Sequence, residues 1–263
     1  MVDLKNGDEI VWSWHLWFTD YKPGVNQAST QNGQVHTYSG PAFQEGGLYY
    51  GKVMMDRNLG ATATGITGAI SQPDTDDEAL TYFGLYYQFG RKDPFATTGE
   101  IPVENSKNKT YASAACEPSA FYACGETSWN ITDGSLESPS DPWNSNSEKS
   151  AFDPCPAGWR IPNNGTTENK NVWTGITNTT WSDAGVKSGM IWCGSWLPGA
   201  GLRHQSDGTI YSTVRGCYIW GSSPSSKICG CGSYINATNC YTVFDSKPIG
   251  RSRGFCVRCV KDW

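Results

Sequence analysis

The chain has 263 residues, enough to bury a real core, and is read as one domain spanning 1–263. Its formal charge of −5 leaves no basic surface that could neutralise a phosphate backbone, so nucleic acid is not an expected partner. The apolar runs are only a few residues long, far short of the roughly 20 that a spanning helix needs, so no direct membrane span is expected.

In chain order, residues 8–18 alternate. Val11, Ser13, His15 and Trp17 fall on one face and Trp12, Trp14, Leu16 and Phe18 on the other, which predicts a strand. Residues 22–47, rich in Gly, Gln, Ser and Asn, read as a loop, and residues 49–58 return to strand character. Residues 74–88 are the best helix candidate. Asp76, Asp77 and Glu78 sit at its positively polarised end, and Leu80, Phe83 and Tyr87 recur at helical spacing up to Gly90. Residues 92–153 form a polar excursion too long for an ordinary connection, expected to be an ordered insertion pinned by Cys116 and Cys124. A short second helix is expected within 166–176, against the pull of the Asn-rich run before it. From 190 onward, strand-like pieces at 190–197, 209–214, 216–220, 233–244 and 254–260 are separated by Gly and Ser and predict small antiparallel sheets.

Ten cysteines against three histidines favour disulfides over zinc sites, which would have to be built almost wholly from thiolates. Paired cysteines imply an oxidising compartment, the periplasm or the cell exterior. Met1-Val2-Asp3-Leu4 shows no basic segment followed by an apolar run, so the chain reads as an excised part of something longer.

Four segments carry a resemblance. They are Val53-Met54-Met55-Asp56-Arg57-Asn58-Leu59-Gly60-Ala61, Tyr86-Tyr87-Gln88-Phe89-Gly90-Arg91-Lys92-Asp93-Pro94, Asp153-Pro154-Cys155-Pro156-Ala157-Gly158-Trp159-Arg160-Ile161-Pro162 and Gly254-Phe255-Cys256-Val257-Arg258-Cys259-Val260-Lys261-Asp262. A fifth, Trp196-Leu197-Pro198-Gly199-Ala200-Gly201-Leu202-Arg203, agrees with them. In this order they resemble the Fibrobacter succinogenes major paralogous domain family of Bacteroides-type surface proteins. The resemblance implies an α+β, C-type-lectin-like fold, loop-rich, with small antiparallel sheets, about two helices and disulfide staples. It also implies a bond between Cys155 and Cys259, and a place at the end of a longer lipoprotein, pilus-tip protein or phage adhesin. Cys217, Cys229, Cys231, Cys240 and Cys256 depart from the family pattern, and their pairing, like that of Cys193, stays open.

His15, His36 and His204 carry no motif that would make them catalytic bases. Formylglycine-generating enzymes share the implied fold and use two cysteines, a role open to Cys256 with Cys259 or to Cys229 with Cys231, but Cys256 and Cys259, three apart on a strand, point to opposite faces. No enzyme activity and no cofactor are expected. The Gln72-Pro73-Asp74 tripeptide resembles a calcium-dependent lectin motif but lies ahead of the first helix, where a turn and helix start explain it better, and calcium held by acidic loops stays open.

Residues 204–253 are rich in Tyr, Ser, Asn, Cys, Trp and Arg, the amphipathic and adaptable types that suit a binding face. The candidate ligand-binding residues are His204, Ser206, Tyr211, Arg215, Cys217, Ile219, Trp220, Lys227, Tyr234, Asn236, Asn239 and Arg251. Many of these are the residue types that adenine-directed mutagenesis of Asn codons leaves behind in similar retroelement-diversified variable proteins. The expectation is an extracellular ligand-binding or adhesin module whose partner is a protein or glycan receptor on another cell or surface. Its rivals are a formylglycine-generating type of cysteine enzyme and a structural envelope or pilus subunit.

Overall fold

The computed structural model describes residues 1–19, 35–36, 40–62, 66–67, 69–70, 75–106, 108–125, 128–130, 141–143, 148–163, 171–173, 181–182, 184–192, 195–211, 216–226, 229–235, 240–242 and 249–262. Small, mostly antiparallel sheets dominate, with two α-helices among the described residues. No helix among them is long and apolar enough to cross a membrane.

Helix α1 covers Asp76–Phe83. The Thr75 hydroxyl accepts a hydrogen bond from the Glu78 amide, and three acidic residues fill the first turn, so the N-terminal amides are satisfied twice over. The helix ends at Phe83, five residues before the expected end at 88, and Gly84 caps it. This glycine has φ +78°, and a Cβ there would meet the Leu59 carbonyl oxygen at 2.7 Å. The remainder of the predicted helix, Tyr86–Gln88, is a strand buried on both faces. Burial on all sides removes the periodicity that separates a helix from a central strand.

The largest sheet runs in the order Ile210–Tyr211, Leu202–Arg203, Gly254–Cys256, Cys217–Ser226, Cys229–Ile235 and Cys240–Thr242, with Tyr86–Gln88 also paired to Gly254–Cys256. The stretch 233–244 is thus two antiparallel strands, as is 190–197, which folds as Gly189–Trp192 against Ser195–Pro198. A second sheet places Val260–Lys261 between Trp159–Arg160 and Met54–Met55, with Val35–His36 beyond. The end of the chain is therefore wedged between its first third and its middle. The expected bond forms beside this sheet: Cys155 and Cys259 are joined across 104 positions. Of the expected strand at 49–58, only Met54–Met55 is extended, and of that at 8–18, only Glu9–Trp14.

The insertion folds without its expected cysteine pin. Cys116 carries a free, exposed thiol, so no Cys116–Cys124 bridge exists. An arginine closes the segment in its place. Helix α2, Tyr111–Cys116, opens with a capping box between Thr110 and Ser113. At its other end the Arg91 guanidinium donates to the carbonyls of Ala120 and of Glu117, the latter at 2.9 Å, and lies over the Tyr122 ring at 4.7 Å. A planar fork with five donors can gather several carbonyls at once, and a cation belongs at the negative end of a helix. Val103–Asn105 and Phe121–Ala123 pair in parallel alongside. The predicted helix at 166–176 lies outside the described residues apart from Asn171–Trp173, which form a turn.

Among the described residues two large apolar clusters fill the interior, with a smaller third around Ala114, Tyr122 and Trp129. In one, Trp220 stacks on Phe255 at 4.3 Å and donates its indole N–H to the Tyr87 carbonyl. In the other, Tyr86 donates its hydroxyl to the Ala200 carbonyl, and Cys217, Ile219 and Cys256 pack nearby.

Candidate functional site

The only predicted binding residues that face solvent among those with described side chains lie on the hairpin formed by Leu202–Arg203 and Ile210–Tyr211. Its loop closes through the Gly208 amide to the His204 carbonyl, 2.9 Å, and the His204 amide to the Thr209 carbonyl, 2.8 Å. Gly208 has φ +68°, which a residue with a Cβ would resist. Asp207 rigidifies the tip: its Oδ1 accepts the Thr209 amide at 2.9 Å and the Thr209 hydroxyl at 2.7 Å. These two donors, the amide first, hold the carboxyl below the usual aspartate range. Gln205 is buried and anchors the loop inward, its carbonyl accepting from the Cys124 amide and its side chain from the Arg253 guanidinium.

Residues two apart on a strand share a face, so the hairpin has two distinct sides. On one, the His204 and Tyr211 rings lie 5.8 Å apart and Tyr211 is 60% exposed, with Ser206 exposed at the adjoining turn. On the other, Arg203 and Ile210 look across a groove of about 380 Å³ toward residues 99–103. Ile101, Val103 and Ile210 supply its apolar floor; Glu100, Asp207 and Thr209 supply carboxylates and a hydroxyl at the rim.

Arg203 builds this groove. Its guanidinium donates to the carbonyls of Ala96, Thr98 and Gly99 in one wall and, at 2.7 Å, to that of Gly208 in the other. Both walls are thereby tied to one buried side chain. Gly254 lies directly across from Arg203 in the sheet, and a Cβ there would come within 3.0 Å of the Arg203 Cβ, so only glycine leaves that approach undisturbed. The sequence reading missed the groove. Arg203 stood in a recognised segment, but nothing in the sequence indicates that residues 99–103, distant in the chain, meet it.

The other candidates divide. Cys217, Ile219, Trp220 and Arg251 are interior, at most 1% exposed, so they do not present themselves to a ligand. Their amphipathic character serves packing: Arg251 lies over the Phe89 ring and donates to the Tyr111 hydroxyl, and Trp220 belongs to the aromatic cluster described above. Tyr234 sits in the Cys229–Ile235 strand, opposite Tyr218 on one side and Tyr241 on the other. Arg215, Lys227, Asn236 and Asn239 lie outside the described residues, as does the Gln72-Pro73-Asp74 tripeptide.

No protein family, curated protein or solved structure matches the chain.

The cysteine chemistry has a geometric limit. Cys259 is consumed by its bond to Cys155, so it cannot act together with Cys256 as a thiol pair. Burial, reinforced by the neighbouring Cys217 sulfur, pushes the Cys256 thiol well above its usual range, which suppresses the reactive thiolate. Among the described residues, no group of three His, Cys, Asp or Glu side chains is placed to hold a metal ion.

Proposed function

We propose that the chain is the recognition module of a bacterial cell-surface, pilus-tip or phage protein, with a C-type-lectin-like fold, and that it binds a protein or glycan receptor through the Leu202–Tyr211 hairpin and the groove beneath it. The observation that carries the reading is the groove itself: an apolar floor with acceptors at its rim, held open by the inflexible Arg203 anchor. Such a surface takes the apolar face of a sugar ring or the stem of a basic side chain, while Glu100, Asp207 and Thr209 receive its hydroxyl or ammonium donors. A pre-formed wall loses little freedom when a ligand enters, so binding energy is not spent on ordering it. The wedging of the last strand between early and middle segments, with the Cys155–Cys259 bond beside it, supports the fold assignment.

An array of glycans and surface proteins, probed with the wild-type chain and with Ile210→Asp, tests the proposal. A specific hit that weakens about tenfold or more in Ile210→Asp is expected, since a charge in the floor removes apolar contact and repels the rim carboxylates. A hit indifferent to Ile210→Asp, or the lack of any specific hit, overturns it.

A further inference from the structure

We infer that the Val2–Asn6 strand is a self-recognition edge, pairing antiparallel with the same strand of a second copy of this chain in a single register. Among the described residues this strand pairs only with Glu9–Trp14, and all five of its residues are exposed, which leaves its outer row of backbone donors and acceptors toward solvent. Val2 and Leu4 stand on one face, aligned with Trp14 and Trp12, while Asp3, opposite Ser13, and Lys5, opposite Ile10 past a bulge at Val11 in the partner strand, stand on the other. The apolar face is open: Val2, Leu4 and Trp14 are 49%, 51% and 48% exposed. An apolar face beside an unpaired edge is the combination that attracts another strand.

The charges say which strand fits. When two copies meet about a two-fold axis at Leu4, Asp3 of each lies opposite Lys5 of the other, and Leu4 opposite Leu4. Sliding by two residues, the smallest step that keeps the apolar faces together, puts Asp3 against Asp3 in one direction and Lys5 against Lys5 in the other. A one-residue slide turns the apolar faces to opposite sides, and a parallel in-register pair again sets like charges together. Of these arrangements only the Leu4-centred antiparallel register satisfies both faces; a parallel pair shifted by two residues makes a single Asp3–Lys5 match and has no two-fold axis to close it. It also aligns Trp12, Leu4, Leu4 and Trp12 in one row across four strands. Five residues make a small interface compared with a standard one, so the pair is weak and forms where copies are concentrated, as on a surface displaying many of them.

Sedimentation of the 263-residue chain over a concentration series tests this directly. Wild type is expected to show a concentration-dependent dimer. Asp3→Lys and Lys5→Asp, each exposed and harmless to the fold, are each expected to weaken association about tenfold or more by turning attraction into repulsion at two symmetric pairs. An equimolar mixture of the two variants is expected to recover the dimer, because each then supplies the charges the other lacks. A chain that stays monomeric up to its solubility limit overturns the inference, as does a dimer indifferent to both variants or one that mixing fails to restore.

Discussion

Asp207 takes both of its hydrogen bonds from one residue, Thr209, and this sets the pH at which the hairpin tip can loosen. Its folded pKa lies below the ordinary value, so the stabilisation is present above about pH 4 and is lost as the pH falls through the folded value. Monitoring the Asp207 carboxyl by NMR should give a midpoint below that of an ordinary aspartate. In Thr209→Val the midpoint should rise part of the way back, because the amide donor persists when the hydroxyl is gone. Two thiols differ just as sharply. Cys116 is exposed and Cys256 is wholly buried with its pKa raised, so an alkylating reagent at neutral pH should label Cys116 in the native chain and reach Cys256 only on unfolding. Peptide mass spectrometry of native and denatured samples checks this.

Among structural elements, the loops owe their order to arginines. Arg91 gathers the carbonyls that close α2, Arg203 joins the groove walls, and Arg258 donates to Asn58, to Ser195 at 2.7 Å and to the Trp196 carbonyl. Each guanidinium is nearly or wholly buried, and those of Arg91 and Arg203 satisfy carbonyls that irregular backbone would otherwise leave without partners. Arg91→Lys keeps the charge but loses the fork, and should cost about 2 to 3 kcal/mol in urea unfolding, through buried acceptors left unpaired. An unchanged unfolding midpoint would show that water replaces the fork. The same fork, together with a small apolar cluster of Ala114, Tyr122 and Trp129, explains why α2 and its parallel strand pair survive within a stretch of largely polar sequence.

For the whole molecule, the Cys155–Cys259 bond closes a loop across 104 positions and joins the middle of the chain to its final strand. In the chain-entropy account, closing a loop of that length stabilises the fold by about 4 to 5 kcal/mol through the unfolded state. Replacing both cysteines by alanine should lower the unfolding free energy by about that amount, measured against wild type under non-reducing conditions. The loss should fall mainly on stability, since the groove is assembled by Arg203 and not by the bond.

Local chemistry was legible in the sequence wherever a few neighbouring residues decide the outcome. The start of α1, expected at 74 and found just after Thr75, follows from the acids of its first turn, and the loop-rich character follows from abundant Gly, Pro and aromatics; the Cys155–Cys259 bond was legible through resemblance alone. Tertiary structure decided the rest. Tyr86–Gln88 continue a helical pattern yet form a strand, because burial on every side erases the periodicity and Gly84 turns the chain first. Trp220 and Arg251 have the composition of a binding face yet lie inside, because aromatic and guanidinium groups serve a core as readily as a surface. The groove needed the fold most of all, since its walls come from residues about a hundred positions apart that one buried arginine ties together.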